Sequence, residues 1–197
     1  MSWWDLGHIE KQKQNDELQS VVQVNYDKIV CQKTNDLVSI IGNNLEPSTQ
    51  YRVVTDKSFN AIVVLNYIIA RYKIQEIYIA IYRMNLPAVH TLKNIIQSQG
   101  LTGYMVLSNF FRENKKYERW AEDIHLFSKS YPNFKLSYGV NHAKVFCCQT
   151  ECGKHIVFEG SGNLSDNARI EQYLLEDNKT TFDFHSGWIK QFCDKND

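Results

Sequence analysis

The chain has 197 residues, 43% of them hydrophobic and 22% charged, with 22 basic side chains against 22 acidic ones. Such a length and composition fit a soluble globular domain with its own core, and the zero formal charge excludes a whole-molecule field that would attract a polyanion or a membrane, so any basic surface must be local. Five cysteines at no regular spacing, a start without a secretory pattern and the absence of an apolar run of bilayer length lead us to expect a soluble cytoplasmic protein with free thiols.

Residues 1–20 carry adjacent tryptophans, Trp3 and Trp4, and a polar run from Glu10 to Gln19 that reads as a short exposed helix. Lys28–Cys31 and Leu37–Ile41 read as short strands split by Thr34-Asn35-Asp36, which suggests a hairpin within an N-terminal appendage spanning residues 1–50. The main domain, 51–197, then begins. Tyr51–Thr55 is a β-branched strand, and Phe59–Tyr72 carries Ile62, Leu65, Ile69 and Tyr72 at helical spacing. Ile77–Tyr82 is apolar on both faces and is expected at the centre of a sheet. A helix with Pro87 in its first turn follows from Leu86 and ends at Gln99-Gly100, with Val89, Leu92, Ile95 and Ile96 facing inward.

Gly103–Leu107, Tyr117–Lys129 and Phe134–Tyr138 read as strand, helix and strand. Strands near 142–149 and 154–159 form a hairpin about Thr150-Glu151-Cys152-Gly153, Arg169–Leu175 is a last strand, and Phe182–Phe192 a last helix carrying Phe184, Trp188, Ile189 and Phe192. This alternation predicts an α/β fold, a mixed, largely parallel central sheet flanked by helices.

The chemistry concentrates on the hairpin. The period of two puts His142 and Lys144 on one face of their strand, and folding about Glu151 and Cys152 sets Ser161 opposite His142, with Asn163 close by. An imidazole, a fixed cation and two hydrogen-bonding side chains suit a phosphate ester. Cys147, Cys148, Cys152 and His155 resemble a zinc set, but adjacent strand residues point to opposite faces, so Cys147 and Cys148 read as core thiols and no metal is expected. The densest basic segment, Arg112 to Arg119, follows Ser108-Asn109 at a strand end where open α/β sheets bind ligands. We therefore take Ser108, Asn109, Lys115, Lys116 and Arg119, together with Arg169 beside the hairpin, as candidate substrate-binding residues.

His142-x-Lys144 followed by Gly160-Ser161-x-Asn163 resembles the HKD signature of the phospholipase D superfamily, and the strand–helix–strand run from Tyr51 is similar in layout to one HKD half. That superfamily often has an aspartate five residues after the lysine, where this chain has Gln149. The resemblance implies a metal-independent phosphodiesterase without cofactor, in which His142 attacks phosphorus to form a phosphohistidine and Lys144, Ser161 and Asn163 hold the substrate. It also implies that Glu171 is the carboxylate that orients the imidazole. The mechanism uses two histidines and none of His8, His90, His125, His155 or His185 is followed by x-Lys, so a homodimer is implied in which each copy supplies His142 to a shared site. The expected substrate is nucleic acid, DNA or RNA, and no membrane. The alternatives are a phospholipid phosphodiesterase and a catalytically weak HKD domain that binds nucleic acid, the latter supported by Gln149.

Overall fold

The computed structural model describes residues 24–34, 36–56, 61–113, 119–165 and 169–196. Along the chain these form β1 (Lys28–Lys33), α1 (Leu37–Ile41), β2 (Thr49–Thr55), α2 (Ile62–Ile69), β3 (Ile74–Ile81), α3 (Leu86–Gln99), β4 (Thr102–Ser108), α4 (Phe110–Glu113), α5 (Arg119–Ser130), β5 (Phe134–Gly139), β6 (Lys144–Thr150), β7 (His155–Gly160), β8 (Glu171–Asp177) and α6 (Lys179–Lys195). The short helix expected within 10–19 lies outside the described residues.

All eight strands join one sheet in the order β1-β2-β8-β7-β6-β3-β4-β5. The pairs β1–β2, β3–β4 and β4–β5 are parallel and the four central pairs antiparallel, so only β6 and β8 run against the other strands. The mixed sheet matches the expected fold class, its parallel ladders lying at the two flanks. β3 holds the middle because it is apolar on both sides. Ile77, Ile79 and Ile81 pack under one face with residues of α1, α2, α3 and α5, while Tyr78 and Ala80 pack under the other with Phe182, Ile189 and Cys193 of α6.

Helix boundaries follow local chemistry. Asn85 caps α3 by accepting the Ala88 N–H at 2.9 Å, Pro87 stands in the first turn, and Gly100 closes the helix in the left-handed conformation. Val89, Leu92, Ile95 and Ile96 are buried as the spacing predicts. In α6, Asn178 accepts from Thr180 and Thr181. Ile189 of that helix is buried, but Phe184 is 49% exposed, so it does not belong to the apolar face expected for it.

Leu37–Ile41 is corrected from a strand to a helix. Asp36 Oδ1 accepts the N–H groups of Val38 and Ser39 at 3.1 and 3.3 Å, and this cap starts a turn that buries Leu37 and Ile41 together at i and i+4. Residues 28–55 are therefore not an appended hairpin but a β1–α1–β2 unit whose parallel strands extend the main sheet.

Candidate functional site

The ends of β3, β4, β5 and β7 and the starts of β6 and β8 share one edge of the sheet, because Ile81 pairs with Lys144, Gly160 with Tyr173 and Leu107 with Tyr138. Residues far apart in sequence are gathered there. The hairpin register places Val145 opposite Glu159 and Cys148 opposite Ile156, so an extended Ser161 would face Ala143, one residue from the expected partner His142. Cys147 and Cys148 lie on opposite faces of the sheet, in different apolar clusters, as strand alternation requires. Burial pushes both thiols above the ordinary thiol range.

His142 is exposed and Lys144 half-buried. The Lys144 ammonium lies 2.9 Å from His142 Nδ1 and donates to the His142 carbonyl at 2.8 Å. Partial burial lowers the pKa of Lys144, and the charge of Glu171 opposes that shift in part. A lysine that donates to Nδ1 leaves the ring proton of a neutral imidazole on Nε2.

Ser161 donates a short hydrogen bond to Glu171 Oε2 and accepts the Gln172 N–H at 3.0 Å. Among the described residues, then, the Glu171 carboxylate is engaged by Ser161, and the ring nitrogen contact expected of it at His142 is instead made by Lys144. Gly160 is required where β7 meets β8: a Cβ there would fall on the Gln172 carbonyl and the Tyr173 ring. Asn163 Oδ1 accepts the Arg83 N–H at 3.2 Å and so ties the loop after β7 to the end of β3. A parallel bridge between Met84 and Leu164 extends that tie.

Two residues were given no role by sequence reasoning. Asn141 donates to the carbonyls of Ile81 and Val106 at 3.2 and 3.0 Å and accepts the Ala143 N–H at 2.9 Å, which clips the start of the hairpin to β3 and β4. The ring of Tyr82 stands 4.9 Å from the His142 ring, with Lys144 Nζ 5.8 Å from its centre. Asn141 adjoins the motif and its type, an amide able to donate and accept, was the available signal; Tyr82 had none, since its proximity is purely spatial.

The candidate binding residues fare differently. Ser108 is buried, and its Oγ accepts the Phe110 N–H at 3.3 Å, so it caps a turn and is not presented to a ligand. Asn109 reaches the same edge and is held there by its N–H to the Gly139 carbonyl at 2.8 Å. Arg119 and Arg169 are exposed at the starts of α5 and of the segment entering β8. Lys115 and Lys116 lie outside the described residues. Gln149 lies at the far end of β6 opposite Glu76. Five residues of strand, roughly 16 Å, separate it from Lys144.

On the α6 side of the sheet a groove of about 840 Å³ runs from Lys144 past Glu159, Arg52, His185 and Trp188. In it Trp188 Nε1 donates to His185 Nδ1 at 3.3 Å, and His185 Nε2 faces Glu159 at 3.3 Å. Among the described residues no helix is long and apolar enough to cross a membrane.

No sequence-family model matches the chain, and neither does the sequence of any curated protein. Solved structures do. NucT from Helicobacter pylori aligns with a TM-score of 0.55 at 20% identity, over 75% of this chain and 98% of its own. Nuc from Salmonella typhimurium, a phospholipase D family member, aligns with a TM-score of 0.54 at 16% identity, over 75% and 97%. TrmBL2, an archaeal chromatin protein whose structure shows a novel mode of DNA binding, aligns at 0.51 and 14% over 82% of this chain and 60% of its own. With nearly the whole of Nuc superposed, and His142-x-Lys144 and Gly160-Ser161-x-Asn163 meeting at one sheet edge, the fold of this chain is that of the phospholipase D family to which Nuc belongs.

Proposed function

We propose that the protein is a phosphodiesterase that cleaves nucleic acid through a phosphohistidine, with two copies of the chain each supplying His142 and Lys144. The carrying observation is the contact of Lys144 Nζ with His142 Nδ1 at 2.9 Å, beside the Ser161–Glu171 pair, on a fold shared with Nuc. A phosphodiester brought to this edge competes with the imidazole for the Lys144 ammonium, because a non-bridging oxygen carries charge and the ring does not. The copy whose lysine has moved to phosphate has Nδ1 open to a proton and Nε2 open as nucleophile. In the other copy Nε2 carries the ring proton, and the Lys144 ammonium at Nδ1 passes a proton to that nitrogen as Nε2–H is donated, so the ring acts as an acid and stays neutral.

The Nε2 lone pair of the first ring forms the P–N bond as the bond from phosphorus to the leaving oxygen breaks, and the second ring gives that oxygen its proton. Water then attacks phosphorus, its proton goes to Nε2 of the second ring as the Nδ1 proton returns to Lys144, and the P–N bond breaks. Lys144 supplies the charge that offsets the developing negative oxygen, so the scheme runs without a metal ion or cofactor. Glu171, tied to Ser161, holds the β7–β8 junction beside the pair and keeps a negative charge near Lys144. Nucleic acid is favoured over phospholipid by exposed Arg83, Arg119 and Arg169 about this edge and by the DNA named for TrmBL2. Gln149, opposite Glu76 at the far end of β6, stands where the motif aspartate is expected, and a domain that binds without turnover is the alternative that the cleavage test decides.

The test is cleavage in excess chelator of single- and double-stranded DNA and RNA and of phosphatidylcholine vesicles, beside His142→Ala. We expect chelator-resistant cleavage of nucleic acid, a drop of at least about a thousandfold in the variant, and a dimer mass by light scattering. Full activity in His142→Ala, or an active monomer, overturns the scheme; lipid cleavage alone reassigns the substrate.

A further inference from the structure

Beyond the phosphate-handling groups, the same edge carries an aromatic ledge. Tyr82, next to the His142 ring, is 5.3 Å from Phe111 and 6.2 Å from Phe110, and Phe111 rests edge-on against Trp120 at 5.0 Å. Phe111 and Trp120 are buried, 5% and 4% exposed, whereas Phe110 is 50% exposed. The buried pair therefore fixes the position of an outer ring that is left open. A lone exposed phenylalanine is ordinary on a protein surface. This one stands one ring beyond Tyr82, whose own ring centre lies 4.9 Å from that of His142 and 5.8 Å from Lys144 Nζ. Its place is set by the Ser108 hydroxyl, which accepts the Phe110 N–H, and by the Asn109 N–H bonded to Gly139.

Resting on the nucleic-acid reading above, we infer that Phe110, backed by Tyr82, is a stacking subsite for an unpaired base next to the phosphate held by Lys144, and that it makes the protein prefer single strands. A base paired in a duplex has both faces covered by its neighbours and cannot lie on the ring; an unpaired base can. Stacking is tolerant of base identity, so the subsite selects strandedness and not sequence. The occupant is a base and not an apolar peptide because the ledge is continuous with a cationic site and has a basic side chain, Arg83, exposed directly after Tyr82.

The full chain in excess chelator is titrated into a labelled mixed-sequence DNA single strand, its duplex, and the same strand made abasic throughout, with binding read by anisotropy and cleavage read separately. We expect Phe110→Ala to lower the ratio of single-strand to duplex affinity about five- to tenfold, and Phe110→Trp to keep it within about twofold. The variant should also lose the distinction that the parent makes between intact and abasic strands. Thermal melts show that each variant is folded. An unchanged ratio, or equal losses on intact and abasic strands, overturns the ledge; so does an unchanged ratio accompanied by conversion to monomer, which would assign Phe110 to an interface between copies. Cleavage with Phe110-independent binding removes the ledge and leaves the hydrolysis. Phe110-dependent single-strand binding without cleavage does the reverse, and failure to bind any strand removes both.

Discussion

Lys144 holds the imidazole of His142 by its Nδ1, with 2.9 Å between the two nitrogens. In the proposed scheme the same ammonium has two tasks, keeping a ring tautomer before substrate arrives and holding phosphate afterwards. Lys144→Met removes both, and we expect kcat/KM to fall about a hundred- to thousandfold while the melting temperature stays close to that of the parent. Lys144→Arg restores the charge as a planar guanidinium in place of a compact ammonium at Nδ1, and should recover substrate affinity more than turnover.

The pH dependence follows from the same group. Burial disfavours the ammonium and lowers the pKa of Lys144, and Glu171 only partly offsets that. In the proposed scheme the charged form is the one that holds phosphate, so activity should be lost as pH rises through the lowered pKa. The alkaline limb of kcat/KM, which reports the free enzyme, should lie below the ordinary lysine range. Glu171→Gln removes the charge that favours the ammonium and should move that limb to still lower pH. A limb that moves upward in the Glu171 variant contradicts this account.

Ser161 and Glu171 act as one unit. The Ser161 hydroxyl donates to the carboxylate and accepts from Gln172, so Ser161→Ala leaves a partner unmatched on each side. In a double-mutant cycle with Glu171→Gln, the two activity losses should be non-additive by about 0.5–3 kcal/mol. Additive losses would mean that the hydroxyl meets substrate directly.

Asn141→Ala opens three hydrogen bonds at once, to Ile81, Val106 and Ala143. Urea unfolding should show a loss of about 1–3 kcal/mol. The free end of the hairpin start also lowers kcat more than it raises KM, since the phosphate contacts survive while the ring loses its fixed place.

Gly160→Ala sets a methyl group against backbone on β8. The neighbour that would have to yield is a carbonyl of the sheet ladder, not a flexible side chain. We expect a loss of about 1–3 kcal/mol by chemical denaturation and a matching drop in activity as the Ser161–Glu171 contact opens.

The regular parts of the fold were legible because each level of the sequence agreed. Helix α3 has its cap at Asn85, Pro87 in the first turn, an inward stripe and Gly100 at the end, and all survive in the structure. The hairpin was legible for the same reason, down to one residue of register. Leu37–Ile41 was misread because five residues rich in apolar types carry no period of their own; only the Asp36 side chain turning back on Val38 and Ser39 decides for helix. At the site, motif spacing pointed to His142, Lys144, Ser161 and Asn163, and the family resemblance to Glu171, but not to which of them touch. The rotation that puts Glu171 on Ser161 and Lys144 on the imidazole is set by side chains meeting across strands, and Tyr82 and Phe110 arrive from the ends of β3 and β4 with no motif to announce them.

Among the described strands β8 is the last in sequence, yet it lies inside the sheet between β2 and β7. Until it slides into that slot, β2 and β7 each present an unpaired edge and Ser161 has no Glu171 to bind. A chain emerging from the ribosome thus carries His142 and Lys144 before it can complete the junction beside them. Assembly order therefore makes the Ser161–Glu171 contact a late one, formed only when β8 closes the gap between β2 and β7.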